Sequence, residues 1–148
     1  MNTTLAPQPI ELGPDAVIHL GADLEMSALA VTAAFWTHVA SDSPQLSQGR
    51  TLSVFDYTTT WTYWERHPEG DELVYLLSGD VDVLLDDDTA QRAVRLGNGS
   101  AAIVPAGTWH RAVIRAPSRL LFITPTPART QQRPVERDNE AASTPPST

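Results

Sequence analysis

Between residues 50 and 124 apolar and polar side chains alternate in short runs cut by turn residues: TLSVFDYTTTWTYWERH, ELVYLLSGDVDVLLDD, AVRLGNGSAAIVPAG and HRAVIRAPSRLLFIT. A period of two sends successive side chains to opposite faces of a strand, and runs this short and close together predict an all-β sandwich or small barrel. Ser78-Gly79-Asp80 and Gly97-Asn98-Gly99 supply residues that tolerate positive φ, so each predicts a hairpin. Asp86, Asp87 and Asp88 fall at a strand end and read as a solvated turn rather than a calcium loop.

Outside this region the pattern weakens. MSALAVTAAFWTHVAS, residues 26–41, predicts short N-terminal helical turns over residues 33–39 with Thr32 as N-cap. Residues 1–15 read as a flexible start, and residues 16–20 as an added edge strand. Residues 125–148 contain five prolines and few apolar side chains, which predicts a disordered tail. The expected barrel domain is residues 16–124.

Composition narrows the chemistry. A chain of 148 residues fits one domain with one core. There is no cysteine, so disulfides, thiolate ligands and thiol nucleophiles are excluded. All ten basic residues are arginine, which removes Schiff-base chemistry, and a net charge of −8 argues against a nucleic-acid partner. No signal-peptide pattern or long apolar run is present, so the expectation is a cytoplasmic protein without a membrane partner.

Alternation puts Trp61, Tyr63, Glu65 and His67 on one strand face, and His110 on a face with Ala112 and Ile114. Buried carboxylates beside imidazoles are costly unless a proton or a cation compensates them. A nitrogen and oxygen donor set suits one divalent metal ion, Mn, Fe, Ni, Co or Zn, better than calcium.

At these residues the sequence resembles the cupin superfamily, in its small single-domain form. Glu65, His67 and Glu72, followed by Gly79, sit in the pattern of the family's first motif. Gly99, Pro105, Gly107 and His110 reproduce the second. Glu65 stands where the family usually has histidine, Thr59 where it has glycine and Ile114 where it often has asparagine. The resemblance implies a double-stranded β-helix, the cupin or jelly-roll barrel, with Glu65, His67, Glu72 and His110 as metal ligands. Glu65 is open to three roles: a ligand, a carboxylate that orients an imidazole, or a catalytic acid/base. Trp61 and Tyr63, sharing a face with the ligands, are the expected substrate-binding residues.

The family implies a metal-dependent enzyme acting on a small metabolite, of dioxygenase, isomerase or lyase type. The anionic Glu65 tilts this toward oxidoreductase chemistry, because an added negative charge favours higher oxidation states. A non-catalytic small-ligand-binding or sensory protein is the alternative, and a metal-free barrel spoiled by Glu65 is a third. Resemblance also implies a homodimer.

Overall fold

A computed structural model describes residues 8–35, 47–125 and 129–136, and the described residues form nine strands and no helical element. In chain order these are β1 (Ala16–Leu20), β2 (Met26–Ala30), β3 (Arg50–Tyr57), β4 (Tyr63–Arg66), β5 (Glu72–Asp86), β6 (Gln91–Leu96), β7 (Ala101–Val104), β8 (Trp109–Pro125) and β9 (Gln131–Pro134). The expected all-β class holds, but the N-terminal helical turns do not. Met26–Ala30 pairs with β1 as a strand, and residues 33–35 make a turn closed by Phe35 N–H donating to Thr32 C=O at 2.9 Å. The alanines permit either state, and pairing with β1 decides it; residues 36–39 lie outside the described set. No described helix is long and apolar enough to cross a membrane.

Two long strands organise everything else. β5, of 15 residues, and β8, of 17, run antiparallel from Leu73↔Ile123 to Asp86↔Trp109. Their second edges are each shared by two shorter strands. β8 pairs β4 at His110 and β3 over residues 118–125, while β5 pairs β7 over residues 72–75 and β6 over residues 81–86. One half is thus ordered β2-β1-β3-β8-β5-β7, and the other β9-β4-β8-β5-β6. Register shifts between Leu76 and Val81 mark where β5 passes from one half to the other.

This arrangement corrects both expected hairpins. Gly79 does not reverse the chain; it sits at that bulge with φ of 120°, where an added Cβ would lie 2.1 Å from Ser118 Oγ. Gly97-Asn98-Gly99 makes a tight local turn but no reversal, because β6 and β7 both run antiparallel to β5, one after the other along its edge. Hairpins form instead at β1–β2 and at β5–β6, the latter closed at Asp86↔Gln91 across the acidic run. Asp87 caps that turn by accepting hydrogen bonds from the backbone N–H of Thr89 and Ala90, each at 3.0 Å.

A single core takes side chains from both halves: Val74 and Leu76 with Val81, Val83 and Leu85 from β5, Ala112 with Leu120 and Phe122 from β8, and Trp61 between β3 and β4. Side chains from both ends of the same two strands can share one core only if the halves face each other, which is the jelly-roll arrangement. β9 falls within the stretch whose composition suggested disorder. It pairs with β4 in the register Tyr63↔Pro134 to Arg66↔Gln131, so four of those residues gain order from a partner strand rather than from a core of their own.

Candidate metal centre

Three segments deliver the acidic and imidazole side chains. Glu65 lies on β4 directly opposite His110 on β8, and Glu72 opens β5 opposite Val104. His67 follows β4 and is fixed through its backbone, its C=O accepting the Gly107 N–H at 2.9 Å. Gly107 has φ of 76°, so the turn that starts β8 also holds the loop carrying His67. Asp71 reinforces it by accepting the Ala106 N–H at 2.8 Å.

The side chains converge. His67, Glu72 and His110 are 4%, 2% and 1% exposed. The Glu72 carboxylate touches both rings, Oε2 lying 3.0 Å from His67 Nε2 and Oε1 2.8 Å from His110 Nε2. One donor atom from each of Glu65, His67 and His110 falls within a mutual spacing of 4.8 Å. Glu72 stands outside that trio, against both imidazoles. His110 Nδ1 faces Thr108 C=O at 3.4 Å, and His67 Nδ1 faces Thr130 Oγ1 at 3.1 Å. A proton on His110 Nδ1 leaves the Nε2 lone pair for the cluster.

Proximity is not matched by alignment. His67 Nε2, His110 Nε2 and Glu72 Oε1 are buried and none makes a properly directed hydrogen bond, although the atoms lie within 3.0 Å of their neighbours. Buried polar atoms left in this state are costly. Three at one point, with Glu65 beside them, are satisfied together by one divalent cation, and the nitrogen and oxygen donors fit manganese, iron, nickel, cobalt or zinc. The residues therefore fit the ion.

The electrostatics are those of a tightly shared charge. Burial would raise the Glu72 carboxyl, but His110 and then His67 outweigh it and bring its pKa down to about 2. Burial works against the His110 imidazolium, yet Glu72 raises its pKa above the ordinary 6.5. Glu65 moves up: burial pushes it, the charge of Glu72 adds to the push, and the hydrogen bond from Gln132 Nε2 to Oε1, 2.9 Å, offsets part of it. Tyr63 is raised to about 12 by burial and by Glu65, so its phenol stays protonated and able to donate.

Beside the cluster lies a cavity of about 570 Å³, within the ordinary range for small-molecule sites. Glu65, His67 and Glu72 reach its wall, and Trp61 and Tyr63 line it with ring centroids 5.4 Å apart and planes 17° from parallel. Other lining residues escaped the sequence reading. Thr51, Ser53, Phe55 and Tyr57 follow the period of two on β3, a signal that was available, whereas Thr130 and Gln132 depend on β9 meeting β4 from 67 positions away. Trp64 and Trp109 point elsewhere: Arg133 lies over both rings, at 5.6 and 4.4 Å from their centroids. His19 is buried on β1 with Nε2 2.8 Å from Gln48 C=O, well apart in sequence from the cluster.

Residues 55–124 match the family described as Cupin domain, a span that begins inside β3 and ends inside β8 and contains both motifs. This stretch of the chain is a cupin domain. Solved structures similar to this cupin include a cupin-2 domain containing protein from Shewanella frigidimarina, at 17% identity and a TM-score of 0.45 over 51% of this chain and 70% of that one. Streptomyces albus HEPD, solved with 2-hydroxyethylphosphonate and Fe(II) bound, aligns at 22% identity and a TM-score of 0.45, covering 51% of this cupin and 17% of HEPD. Vicilin from tomato aligns at 13% identity and a TM-score of 0.49, covering 64% of this cupin and 27% of vicilin. No curated protein matches the chain significantly.

Proposed function

We propose that this cupin is a metal-dependent enzyme that holds one divalent ion through Glu65, His67 and His110, with Glu72 completing or buttressing the set, and acts on a small molecule in the adjoining cavity. The supporting observation is the cluster of buried donor atoms without directed hydrogen bonds at the wall of an accessible cavity. A structural ion would be enclosed by its protein ligands, while a catalytic one borders a space that substrate can enter. When bound, such an ion acts as a Lewis acid toward substrate oxygen or as a site for oxygen chemistry.

The chain's own residues have separable tasks. Thr124 Oγ1 donates to Glu72 Oε2 at 2.6 Å and fixes that carboxylate against the two rings. Thr108 C=O orients His110, and Thr130 faces His67. Glu65 is held at Oε1 by Gln132, which leaves its other oxygen for the ion. The Glu65 carboxylate adds a negative charge where an imidazole would be neutral, which favours redox over purely Lewis-acid chemistry.

Elemental analysis of the untagged protein tests the metal, with about one ion per chain expected and less than about 0.1 per chain overturning the reading. Water-proton relaxation of the manganese-loaded protein tests the exposed position. Enhanced relaxation marks an ion that cavity water reaches, and its absence favours the non-catalytic binding reading instead.

A further inference from the structure

The cavity walls are divided along the strands. Thr51, Ser53, Phe55 and Tyr57 occupy successive inward positions of β3, and the opposing positions of β8 place Thr124 against Thr51 and Phe122 against Ser53. One end is therefore built of hydroxyls. The other is aromatic: Tyr57, Trp61 and Phe122 approach one another with centroids 5.8 to 6.3 Å apart, and Trp61 stacks on Tyr63.

Charge is equally one-sided. Among the described residues no arginine lines the cavity, and the chain has no lysine. Arg66, Arg111 and Arg133 lie over Trp64 and Trp109, rings that are not part of the cavity wall. The acidic groups in the wall are Glu65 and Glu72, whose charge a divalent ion would cancel without leaving an excess for an anionic ligand. The hydrogen-bond donors in the wall are uncharged: the threonine and serine hydroxyls, the Tyr57 and Tyr63 phenols and the Trp61 indole N–H.

We infer that the cavity selects a flat, uncharged molecule with an aromatic body and a neutral oxygen head group, a phenol or aryl ketone in character, and that it refuses carboxylates and phosphates of the same shape. An aromatic body replaces water against the Tyr57, Trp61 and Phe122 rings. A hydroxyl or carbonyl head finds neutral partners at Thr51 and Ser53, whereas a carboxylate would lose its hydration with no arginine or lysine in the wall and with Glu65 and Glu72 already balancing the charge of an ion. This specificity rests on the cavity being the substrate site, as proposed above, but not on the identity of the ion.

Binding of 2-naphthol, 2-naphthoate and 2-decalol to the full-length untagged protein, followed by tryptophan fluorescence and calorimetry, tests it. Each is titrated into the protein as purified and after chelator treatment. The expected result is that 2-naphthol binds at least about tenfold more tightly than either competitor in both preparations. Equal or tighter binding of 2-naphthoate or 2-decalol overturns the inference, as does binding by none of the three. A preference for 2-naphthol in protein that takes up no metal would sink the metal proposal and leave this one standing. Thr51→Val preserves shape, so it should weaken 2-naphthol about fivefold and leave naphthalene unchanged. An equal effect on both compounds would remove the head-group assignment.

Discussion

His110 and Glu72 titrate in opposite directions because each stabilises the charged form of the other. In metal-free protein the Glu72 contribution is present above its ordinary 4.5 and is lost as pH falls toward about 2. The His110 contribution is complete below 6.5 and is lost as pH rises through its elevated folded value. Thermal melts of the metal-free protein should therefore be highest between about pH 4.5 and 6.5 and decline on the alkaline side. Metal uptake should move the other way, strengthening above pH 6.5 as the ion displaces the His110 proton, with proton release seen in calorimetry in two buffers. His110→Ala should abolish metal uptake, measured by elemental analysis, while the strands persist by circular dichroism. Full occupancy in that variant would remove His110 from the ligands. Glu65→His should keep or tighten metal binding, and a loss would assign Glu65 to proton transfer.

At the scale of elements, β9 is the least expected contributor. Through it Gln132 reaches Glu65, and Gln131 and Arg133 pair with Arg66 and Trp64 across β4, while Arg133 also meets Asp86 at 3.1 Å. Truncation before residue 129 should leave the β5–β8 framework folded but weaken metal affinity about tenfold, because Glu65 and His67 lose the groups that orient them. Unchanged affinity in a competition titration would make β9 a covering strand alone. The convergence of the candidate donors was legible because their motifs are local: Pro105 and Gly107 shape the turn before His110, and the Glu65 to Glu72 spacing lies within one connection. β9 was not, because QQRP carries little apolar signal and its order comes from β4. The hairpins misled for a related reason. A glycine-containing tripeptide signals that the backbone departs from a regular strand, and only the partner edge decides whether it turns back or continues, as it does at both Gly79 and Gly99.

For the molecule as a whole, Gly79 is the point where β5 leaves one half for the other. Its φ of 120° and the backbone of Ser118, whose Cα would stand 2.6 Å from an added Cβ, leave no room for a side chain. Gly79→Ala should cost roughly 2 kcal/mol or more and lower the melting temperature by several degrees. Since Glu72 lies at one end of β5 and Leu85, opposite His110, near the other, metal affinity should fall with it. A melt and a titration matching the parent protein would contradict this.

The two long strands also bear on how a guest comes and goes. Both halves hang from the same pair of continuous ribbons, so neither can swing outward as a jaw without tearing the ladder they share. On the function proposed above, a guest would be admitted by small movements at the rim and chosen by the fixed mould of the described strands rather than by closure of the two halves around it.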